Sequence, residues 1–344
     1  MSEQTAPSRA GARPPLREVP ASARTVQQEK LLSAHPTQQE KLLSTRAAQQ
    51  ERLLSSRTAQ QERPLSSHTA PFLHSGDATR LRMLDAAIAL LPICAGAIWF
   101  FRLQAVLLLV LSPACCIALE WLLTRGSEKD GGRGARHDGS ALVSGLLLAL
   151  LLPPGCPLWA VPLGALAAMG SKRLSGGLGR NLLNPAAVGR ATLLLLPALR
   201  PTALRASQGS FLLGYLDGCL GELSSLLLLC GALYLALRRL LPLAILPAYL
   251  AASFLTALAI PQCEPLAVLA WGGTYLGACF LAADPVTSPM GRFLQTAYGL
   301  GCGAACTLLA YYGWGAGGVC CGILTMNFLG RLLELLIRRV QRAR

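Results

Sequence analysis

The fold is decided by one stretch of sequence, Ser171-Lys-Arg-Leu-Ser-Gly-Gly-Leu-Gly-Arg-Asn-Leu-Leu-Asn-Pro-Ala-Ala-Val-Gly189. It is rich in glycine, basic side chains and amides, yet it joins two strongly apolar segments, 158–169 and 186–196. Irregular backbone beside a bilayer must be buried in protein or line a wet cavity, because lipid offers no hydrogen-bond partners. The stretch is therefore predicted to be a site rather than a simple connector.

A second break of the same kind reads Ala283-Asp-Pro-Val-Thr-Ser-Pro-Met-Gly-Arg292. Earlier in the chain, segment 140–152 is short and ends before Pro153-Pro154. Short segments interrupted by Gly or Pro, in corresponding places of two halves, point to a site near the bilayer midplane in inverted-repeat transporters. We therefore expect two inverted five-helix repeats, 84–196 and 224–336, each built around one break.

The composition indicates a membrane protein. Of 344 residues, 53% are hydrophobic and only 14% are charged, whereas soluble domains carry about 25% charged residues. We predict an all-α membrane protein of about ten transmembrane helices, some of them broken or half-length. The apolar segments are 84–101, 105–123, 140–152, 158–169, 186–196, 224–237, 241–260, 266–282, 293–312 and 315–336. The tryptophans predicted to lie at the membrane interfaces are Trp99, Trp159, Trp271 and Trp314.

The basic side chains are distributed as in a plasma-membrane protein. Lys and Arg number 31 against 17 Asp and Glu, which gives a net charge of +14. They fall mainly in the N-terminal tail, in every second loop and in the tail 331–344, so the positive-inside rule predicts that both termini are cytoplasmic. The sequence shows no basic domain with interleaved aromatic side chains, so nucleic-acid binding is not expected.

Residues 1–70 differ from the rest of the chain. They contain an eleven-residue repeat whose units begin at Gln27, Gln38, Gln49 and Gln60. Such a period is compatible with a right-handed supercoil. However, each unit offers at most one Leu pair and ends in a Ser-rich joint, which favours a disordered cytoplasmic tail. The transmembrane domain is expected at 71–344.

The twelve cysteines favour packing over metal binding. Most of them lie inside apolar segments, where a free thiol behaves as a small hydrophobic side chain. Cys302 and Cys306 share a helix face, but two thiolates are only half of a four-thiolate cluster site. The sequence contains no CxxC motif, and we predict no metal site.

The first break carries candidate cofactor-binding residues. Glycines let backbone N–H groups approach a phosphate or a flavin, and Gly177 and Gly179 stand beside basic residues such as Lys172. The alternative is a tight loop whose charges only set the topology. Asn181 and Asn184 are amides at membrane depth, and they are expected either to cap half-helices or to hydrogen-bond a flavin ring.

Three acidic residues are candidates for an ion pathway. Asp138, Glu222 and Asp284 lie at the ends of apolar segments, and intramembrane acids commonly serve cation or proton passage. Capping is the alternative for two of them. Asp284 precedes Pro285 and is equally suited to an N-cap, and Glu222 precedes the helix expected near Ser224.

Several blocks of sequence, in this order, resemble the RnfD family. They are Asp138-Gly-Ser-Ala-Leu-Val-Ser-Gly, Leu152-Pro-Pro, Gly176-Gly-Leu-Gly-Arg-Asn-Leu-Leu-Asn-Pro-Ala-Ala-Val-Gly-Arg, Gly218-Cys-Leu-Gly-Glu-Leu-Ser and Ala283-Asp-Pro-Val-Thr-Ser-Pro. RnfD is a membrane subunit of the Rnf ion-translocating ferredoxin:NAD oxidoreductase, and it is similar to the NqrB subunit of the sodium-pumping NADH:quinone reductase. The resemblance covers residues 64–336.

The resemblance implies a ten-helix inverted repeat, of the architecture shared with urea transporters. It also implies an FMN bound covalently to a threonine on the outer side, a further flavin such as riboflavin, and the other Rnf proteins (A, B, C, E and G) as partners. Such a chain relays electrons, coupled to Na⁺ or H⁺ movement, and is not catalytic alone. The sequence itself shows no dinucleotide-binding loop.

Thr202 is the first candidate for the FMN attachment. The family's threonine stands in a Ser-Gly-Ala-Thr-Pro-Leu pattern shortly before the Gly-x-x-Gly-Glu block, and Thr202 with Leu204 matches its Thr-x-Leu core. The residues Leu199-Arg-Pro201 differ from the pattern, so Ser210 is the second candidate. Two other functions are alternatives: a flavin-free scaffold, and a urea-transporter-like channel or transporter for a small solute without a redox role.

Overall fold

The computed structural model describes residues 76–124, 139–175, 181–196, 218–289 and 291–343. Within these ranges the regular structure is entirely helical, as predicted. The α-helices are α1 Gly76–Thr124, α2 Ser140–Leu150, α3 Ala160–Leu174, α4 Pro185–Leu193, α5 Ser225–Leu237, α6 Ile245–Ala259, α7 Pro265–Ala270, α8 Gly272–Leu276, α9 Arg292–Leu309 and α10 Gly315–Ala343. A 3₁₀ turn spans Leu220–Glu222, and π-helical turns span Gly277–Leu281 and Ala310–Trp314.

Two predicted segments join in α1. The break between them is at Arg102, whose φ of 52° and ψ of −126° are not helical. Its guanidinium lies 5.5 Å from the centre of the Trp99 ring, a cation–π contact that suits the wet end of a membrane helix. Gly315, with φ 45° and ψ −133°, makes a similar break before α10. Both breaks separate apolar stretches that the sequence identified as distinct segments.

Several helices are too short to cross a bilayer, which takes about 20 residues. The shortest of the predicted segments forms α4, which has nine residues. Segment 266–282 was predicted as one helix and is instead broken at Trp271, where ψ is 127°. The break is tolerated because freed backbone groups find partners: Thr274 donates from its hydroxyl to the Val268 carbonyl at 2.7 Å and from its N–H to the Trp271 carbonyl at 3.1 Å.

The outer surface of the described helices is apolar. Three helical stretches are long and apolar enough to span a membrane, at Arg80–Thr124, Arg292–Tyr312 and Gly315–Leu335. Large apolar side chains project outward from them, such as Leu103 and Phe293, which are 69% and 83% exposed. A continuous apolar exterior of this kind suits lipid rather than water. The chain is therefore a multi-pass membrane protein.

Small residues hold the helices together. On α9, side chains at Gly299 and Gly303 would collide with the backbone of α6, because the two helices touch there. A Cβ at Gly145 of α2 would likewise collide with Pro113 of α1, and the Ser112 hydroxyl donates to the Gly145 carbonyl at 2.8 Å. Close backbone approach through small residues is the usual way in which membrane helices associate.

Two predictions about organisation stay predictions. The tail 1–70 lies outside the described residues. The inverted relation between the halves 84–196 and 224–336 is consistent with the broken helices found in each half, but these breaks alone do not establish a repeat.

Candidate functional site

The two breaks identified from the sequence meet at Asn184. Its side-chain oxygen accepts from the N–H groups of Ala186 at 3.1 Å and Ala187 at 3.3 Å, and so it caps α4, with Pro185 at the first helical position. Its amide nitrogen donates to the Leu281 carbonyl at 3.4 Å, two residues before the second break. The residue thus serves as the cap that one alternative predicted, and it also connects the two breaks.

A cavity lies beside this contact, with an empty volume of about 390 Å³ when its open side is counted. Its polar lining includes Asn181 from the first break, Thr287 from the second and Asn327 from α10. We call these three residues the amide cluster. The other lining residues are Leu182, Val286, Ser288, Pro289, Gly330, Arg331 and Glu334.

The amide cluster carries buried polar atoms without hydrogen-bond partners among the described residues. They are Asn181 Oδ1, Asn327 Nδ2 and Thr287 Oγ1. The Thr287 hydroxyl lies close to the Asp284 carboxylate but without good hydrogen-bond geometry. The Tyr298 hydroxyl donates to Asn327 Oδ1, which leaves the amide nitrogen available. Buried polar atoms are nearly always satisfied in native proteins. The cluster therefore offers an acceptor, a donor and a hydroxyl to a ligand.

Asp284 supports this cavity from a turn rather than from a helix. Its carboxylate accepts from the Val286 N–H at 3.1 Å, and its carbonyl accepts from the Ser288 N–H at 3.0 Å. The N-cap alternative is wrong, because residues 285–289 are non-helical and α9 begins only at Arg292. The carboxylate instead orders the loop that carries Thr287.

Lys172 is not available to a phosphate. Its ammonium is bound to the Glu120 carboxylate and to the Ser140 hydroxyl, and the residue is only 6% exposed. A buried ammonium needs such partners, since an unpaired charge in the protein interior is very costly. The pair ties the end of α3 to α1 and to the start of α2, directly before the glycine-rich stretch. The Lys172 charge is therefore already balanced by the Glu120 carboxylate.

A second polar group, which we call the charge cluster, consists of Arg190, Cys219 and Glu222. Arg190 on α4 is fully buried, and Glu222 in the 3₁₀ turn is 4% exposed. Glu222 Oε2 accepts from the Cys219 N–H at 3.1 Å. Glu222 also interacts electrostatically with Arg190. These two described side chains are not joined by an ion pair, so each charge also depends on other partners in the fold.

Backbone contacts between the two halves hold Glu222 in place. The Leu220 N–H donates to the Leu152 carbonyl at 3.0 Å, just before Pro153-Pro154. A Cβ at Gly272 would lie 2.5 Å from the Glu222 carbonyl oxygen, so the break before α8 packs directly on the turn. The alternative that Glu222 caps α5 is wrong, because the Ser224 hydroxyl makes that bond, at 3.4 Å to the Leu227 N–H. Glu222 instead caps the 3₁₀ turn through its bond from the Cys219 N–H.

Sequence reasoning missed Arg190, Asn327 and Tyr298. The sequence carries a signal for Arg190 and Asn327, since each is a polar residue inside an apolar segment. Charged residues inside a membrane are usually functional, and this applies to arginine as well as to acids. Tyr298 gave no such signal. The predicted residues Gly177, Gly179, Asp138, Thr202 and Ser210 lie outside the described residues. Among the residues that are described, no group of His, Cys, Asp or Glu has a metal-binding arrangement.

Comparison with known proteins identifies the family. The model of the NQR2, RnfD, RnfE family matches residues 66–342. The chain is 33% identical to the D component of the ion-translocating oxidoreductase complex of Stutzerimonas stutzeri, over 74% of this chain and 90% of that protein. It is 32% identical to the D component of the Na(+)-translocating ferredoxin:NAD(+) oxidoreductase complex of Acetobacterium woodii, over 77% of this chain and 91% of that protein. A proton-translocating counterpart from Clostridium ljungdahlii is 27% identical, over 77% of this chain and 92% of that protein. The chain therefore belongs to the NQR2, RnfD, RnfE family.

Proposed function

We propose that this chain is the RnfD component of an ion-translocating ferredoxin:NAD⁺ oxidoreductase complex. The observation that carries the proposal is the family match over residues 66–342 together with relatives of that name that the chain covers almost end to end. One relative is named for Na⁺ and another for protons, so either ion is compatible with the fold. The chain works as one subunit of an oxidoreductase and not as an enzyme alone.

The proposed partners are the other Rnf proteins (A, B, C, E and G) and the membrane lipid. Deletion of this chain from cells that carry the complex tests the assignment. Membranes without it should lose ferredoxin-driven NAD⁺ reduction, and expression of the chain should restore it. Liposomes that contain only this chain should take up no urea or similar small solute. Solute uptake by the isolated chain, with electron transfer unaffected by its deletion, would instead favour a transporter.

The proposed topology places both termini in the cytoplasm, in a plasma membrane. Arg238 and Arg239 follow α5, Arg292 opens α9, and further arginines end α10, which fits the positive-inside rule. On this topology the amide cluster lies toward the cytoplasm and the charge cluster toward the outer side. The broken helices in each half support, in addition, two inverted repeats within a transmembrane domain at 71–344, preceded by a disordered tail.

A non-covalent flavin is proposed to bind at the amide cluster, on the open side of the cavity. The pyrimidine edge of a flavin ring presents an N–H donor between carbonyl acceptors, which matches the Asn181 oxygen and the Asn327 nitrogen. The flavin supplies the redox chemistry when bound, and the protein holds and tunes it. Asn184 positions the site by capping α4, and Gly177 and Gly179 are proposed to give backbone contacts. Riboflavin is the simplest candidate, because the Lys172 ammonium is already paired within the fold.

A second flavin, FMN, is proposed to be attached covalently through Thr202, with Ser210 as the second candidate. The support is the Thr-x-Leu core and its position before the Gly-x-x-Gly-Glu block. In a denaturing gel of the chain co-expressed with a flavin transferase, the band should fluoresce. Fluorescence should be lost in Thr202→Ala and retained in Ser210→Ala. Equal fluorescence in both variants would reject Thr202, and a dark wild-type band would reject covalent attachment.

The ion pathway is proposed to use the acidic residues at the breaks. Glu222 is buried in the charge cluster, Asp284 is half-buried beside the amide cluster, and Asp138 precedes α2 in sequence. Buried carboxylates in membrane proteins commonly mark cation or proton routes. Individual replacement by Asn or Gln should lower ion uptake more than electron transfer. Equal loss of both activities would indicate a structural role.

A further inference from the structure

Two consecutive arginines follow α5, and α1 fixes the first of them in place. Arg238 donates from Nε to Asp85 Oδ1 at 3.2 Å and from Nη2 to Asp85 Oδ2 at 3.0 Å, and the Tyr234 hydroxyl donates to Asp85 Oδ1 at 2.7 Å. The Asp85 side chain on α1 is 11% exposed, whereas that of Arg238 is 54% exposed. The bond to Asp85 therefore orients a guanidinium that still reaches the surface.

Arg239, the next residue, has a backbone conformation that usually belongs to glycine. Its φ is 57°. Its N–H donates to the Ala236 carbonyl, and the Leu240 N–H donates to the Leu235 carbonyl, both at 2.9 Å. These two bonds form a Schellman motif, in which glycine is preferred at the left-handed position because it has no Cβ. The exposed Arg239 side chain makes no ion pair within the described part of the chain, so the fold does not explain an arginine here.

The surface around these arginines is both basic and apolar. Among the described side chains of residues 80–88 and 230–244, four arginines stand against one acid, Asp85. That acid is already bound to Arg238. Arg82 lies three residues before Asp85, so the two share a face of α1. Exposed leucines flank the arginines in sequence, at Leu81, Leu237 and Leu243. The junction of α1 with the end of α5 therefore combines excess positive charge with an apolar surface.

We propose that an anionic phospholipid binds where α1 meets the end of α5, with its phosphate on Arg238 and Arg239 and its acyl chains against the exposed leucines. Basic sites between membrane helices on the cytoplasmic side are suited to anionic headgroups, and guanidinium groups match phosphate geometry. A soluble anion uses the arginines but not the leucines, so the leucines favour a lipid. The site goes beyond the proposed function, since it requires only that the chain spans a membrane.

The test uses the complete complex that contains this chain, in nanodiscs of phosphatidylcholine with a graded fraction of phosphatidylglycerol. Bound phosphatidylglycerol is counted by native mass spectrometry, and the thermal midpoint is measured with and without this lipid. The variants are Arg239→Gly and Arg239→Lys. Arg292→Gln is the matched control, because Arg292 is an exposed arginine at the start of α9.

Arg239→Gly separates the lipid from the fold, because glycine suits the left-handed backbone and removes the charge. In phosphatidylcholine alone its thermal midpoint should equal or exceed that of the wild type. Half-saturation of the site should need about fivefold more phosphatidylglycerol, the usual effect of one arginine beside an anionic lipid, and this lipid should stabilise the variant less. Arg239→Lys and Arg292→Gln should both bind phosphatidylglycerol nearly as the wild type does.

Equal binding of phosphatidylglycerol by the wild type and Arg239→Gly would overturn the proposal. Loss of a neighbouring subunit from the Arg239→Gly complex, with lipid binding unchanged, would assign the arginine to an acidic protein surface and would also overturn it. Inorganic phosphate added to nanodiscs of phosphatidylcholine should not raise the thermal midpoint. Stabilisation by phosphate equal to that by phosphatidylglycerol would show a site for a soluble anion and not for a lipid.

Discussion

The amide cluster and the charge cluster are built in the same way and differ in their chemistry. Each lies where the broken backbone of one half meets the other half, and α4 connects them. Asn184 caps the start of this helix beside the amide cluster, and Arg190 follows six residues later, about 9 Å along the axis. One site offers neutral donors and acceptors, and the other offers two opposite charges.

This difference separates two tasks that one membrane subunit must perform. Neutral amides can hold a neutral ring at modest desolvation cost, whereas a charged group at membrane depth is stable only with partners. A change in the charge cluster should therefore cost more stability than a change in the amide cluster. Substitutions in and around the two clusters test this difference, from the largest expected effect to the smallest.

Replacement of Arg190 by Met should have the largest effect. It removes a fully buried guanidinium together with the interactions that this group makes within the fold, and the loss of one partner from a buried charged network costs about 3–5 kcal/mol. We expect the protein to be nearly absent from membranes, as measured by immunoblot against the wild type. Arg190→Lys, which keeps the charge, should retain a measurable fraction. Normal accumulation of Arg190→Met would show that the fold does not depend on this guanidinium.

Replacement of Tyr298 by Phe should have an intermediate effect. It removes the donor to Asn327 Oδ1, and an unsatisfied buried acceptor costs about 1–3 kcal/mol. The freed amide should also hold a flavin less well. The thermal midpoint of the purified complex and its extractable flavin should both fall. Tyr312→Phe, at a side chain that is 67% exposed, should leave both unchanged; equal effects at the two tyrosines would contradict the amide cluster.

Replacement of Asn184 by Ala should cost about 0.5–2 kcal/mol, the usual value for the loss of an N-cap. The variant also loses the bond to the Leu281 carbonyl. Asn184→Ser keeps a capping oxygen and loses that bond without burying a charge, so its thermal midpoint should lie between those of Asn184→Ala and the wild type. If the two variants are equally destabilised, the contact between the breaks matters more than the cap.

Replacement of Arg331 by Gln should have the smallest effect. Its ion pair with Glu334, at 3.1 Å, is on the side of the cavity, and the arginine side chain is 55% exposed. Solvent-exposed ion pairs contribute about 0–1 kcal/mol. The thermal midpoint should therefore change little. A large loss would mean that Arg331 contacts a ligand or a partner rather than only Glu334.

Much of the fold was predictable because apolar segments and their Pro and Gly breaks are visible in the sequence. The segment 241–260 became α6, Ile245–Ala259, and the short segment after Asn184 became α4. The break at Trp271 was missed, and Trp271 itself, predicted at an interface, is 5% exposed. The sequence did not reveal the break because its freed backbone groups are satisfied by a neighbouring threonine, which hydropathy does not show.

The candidate site was predictable only in part. Asn181 and Asn184 were visible as amides at membrane depth, but Thr287, Tyr298 and Asn327 join them from distant parts of the chain. Only the packing of α9 and α10 against the breaks brings them together. An arginine inside an apolar segment is also visible in sequence, but the side chains around it come from distant parts of the chain and only the fold supplies them.

The division of tasks between the two clusters can be tested by counting extractable flavin in the purified complex. Asn181→Leu and Asn327→Leu should each lose one extractable flavin per complex, because they remove the unpartnered acceptor or donor of the amide cluster. Glu222→Gln should retain the full amount. Full flavin content in both leucine variants, or a loss in Glu222→Gln alone, would contradict the account.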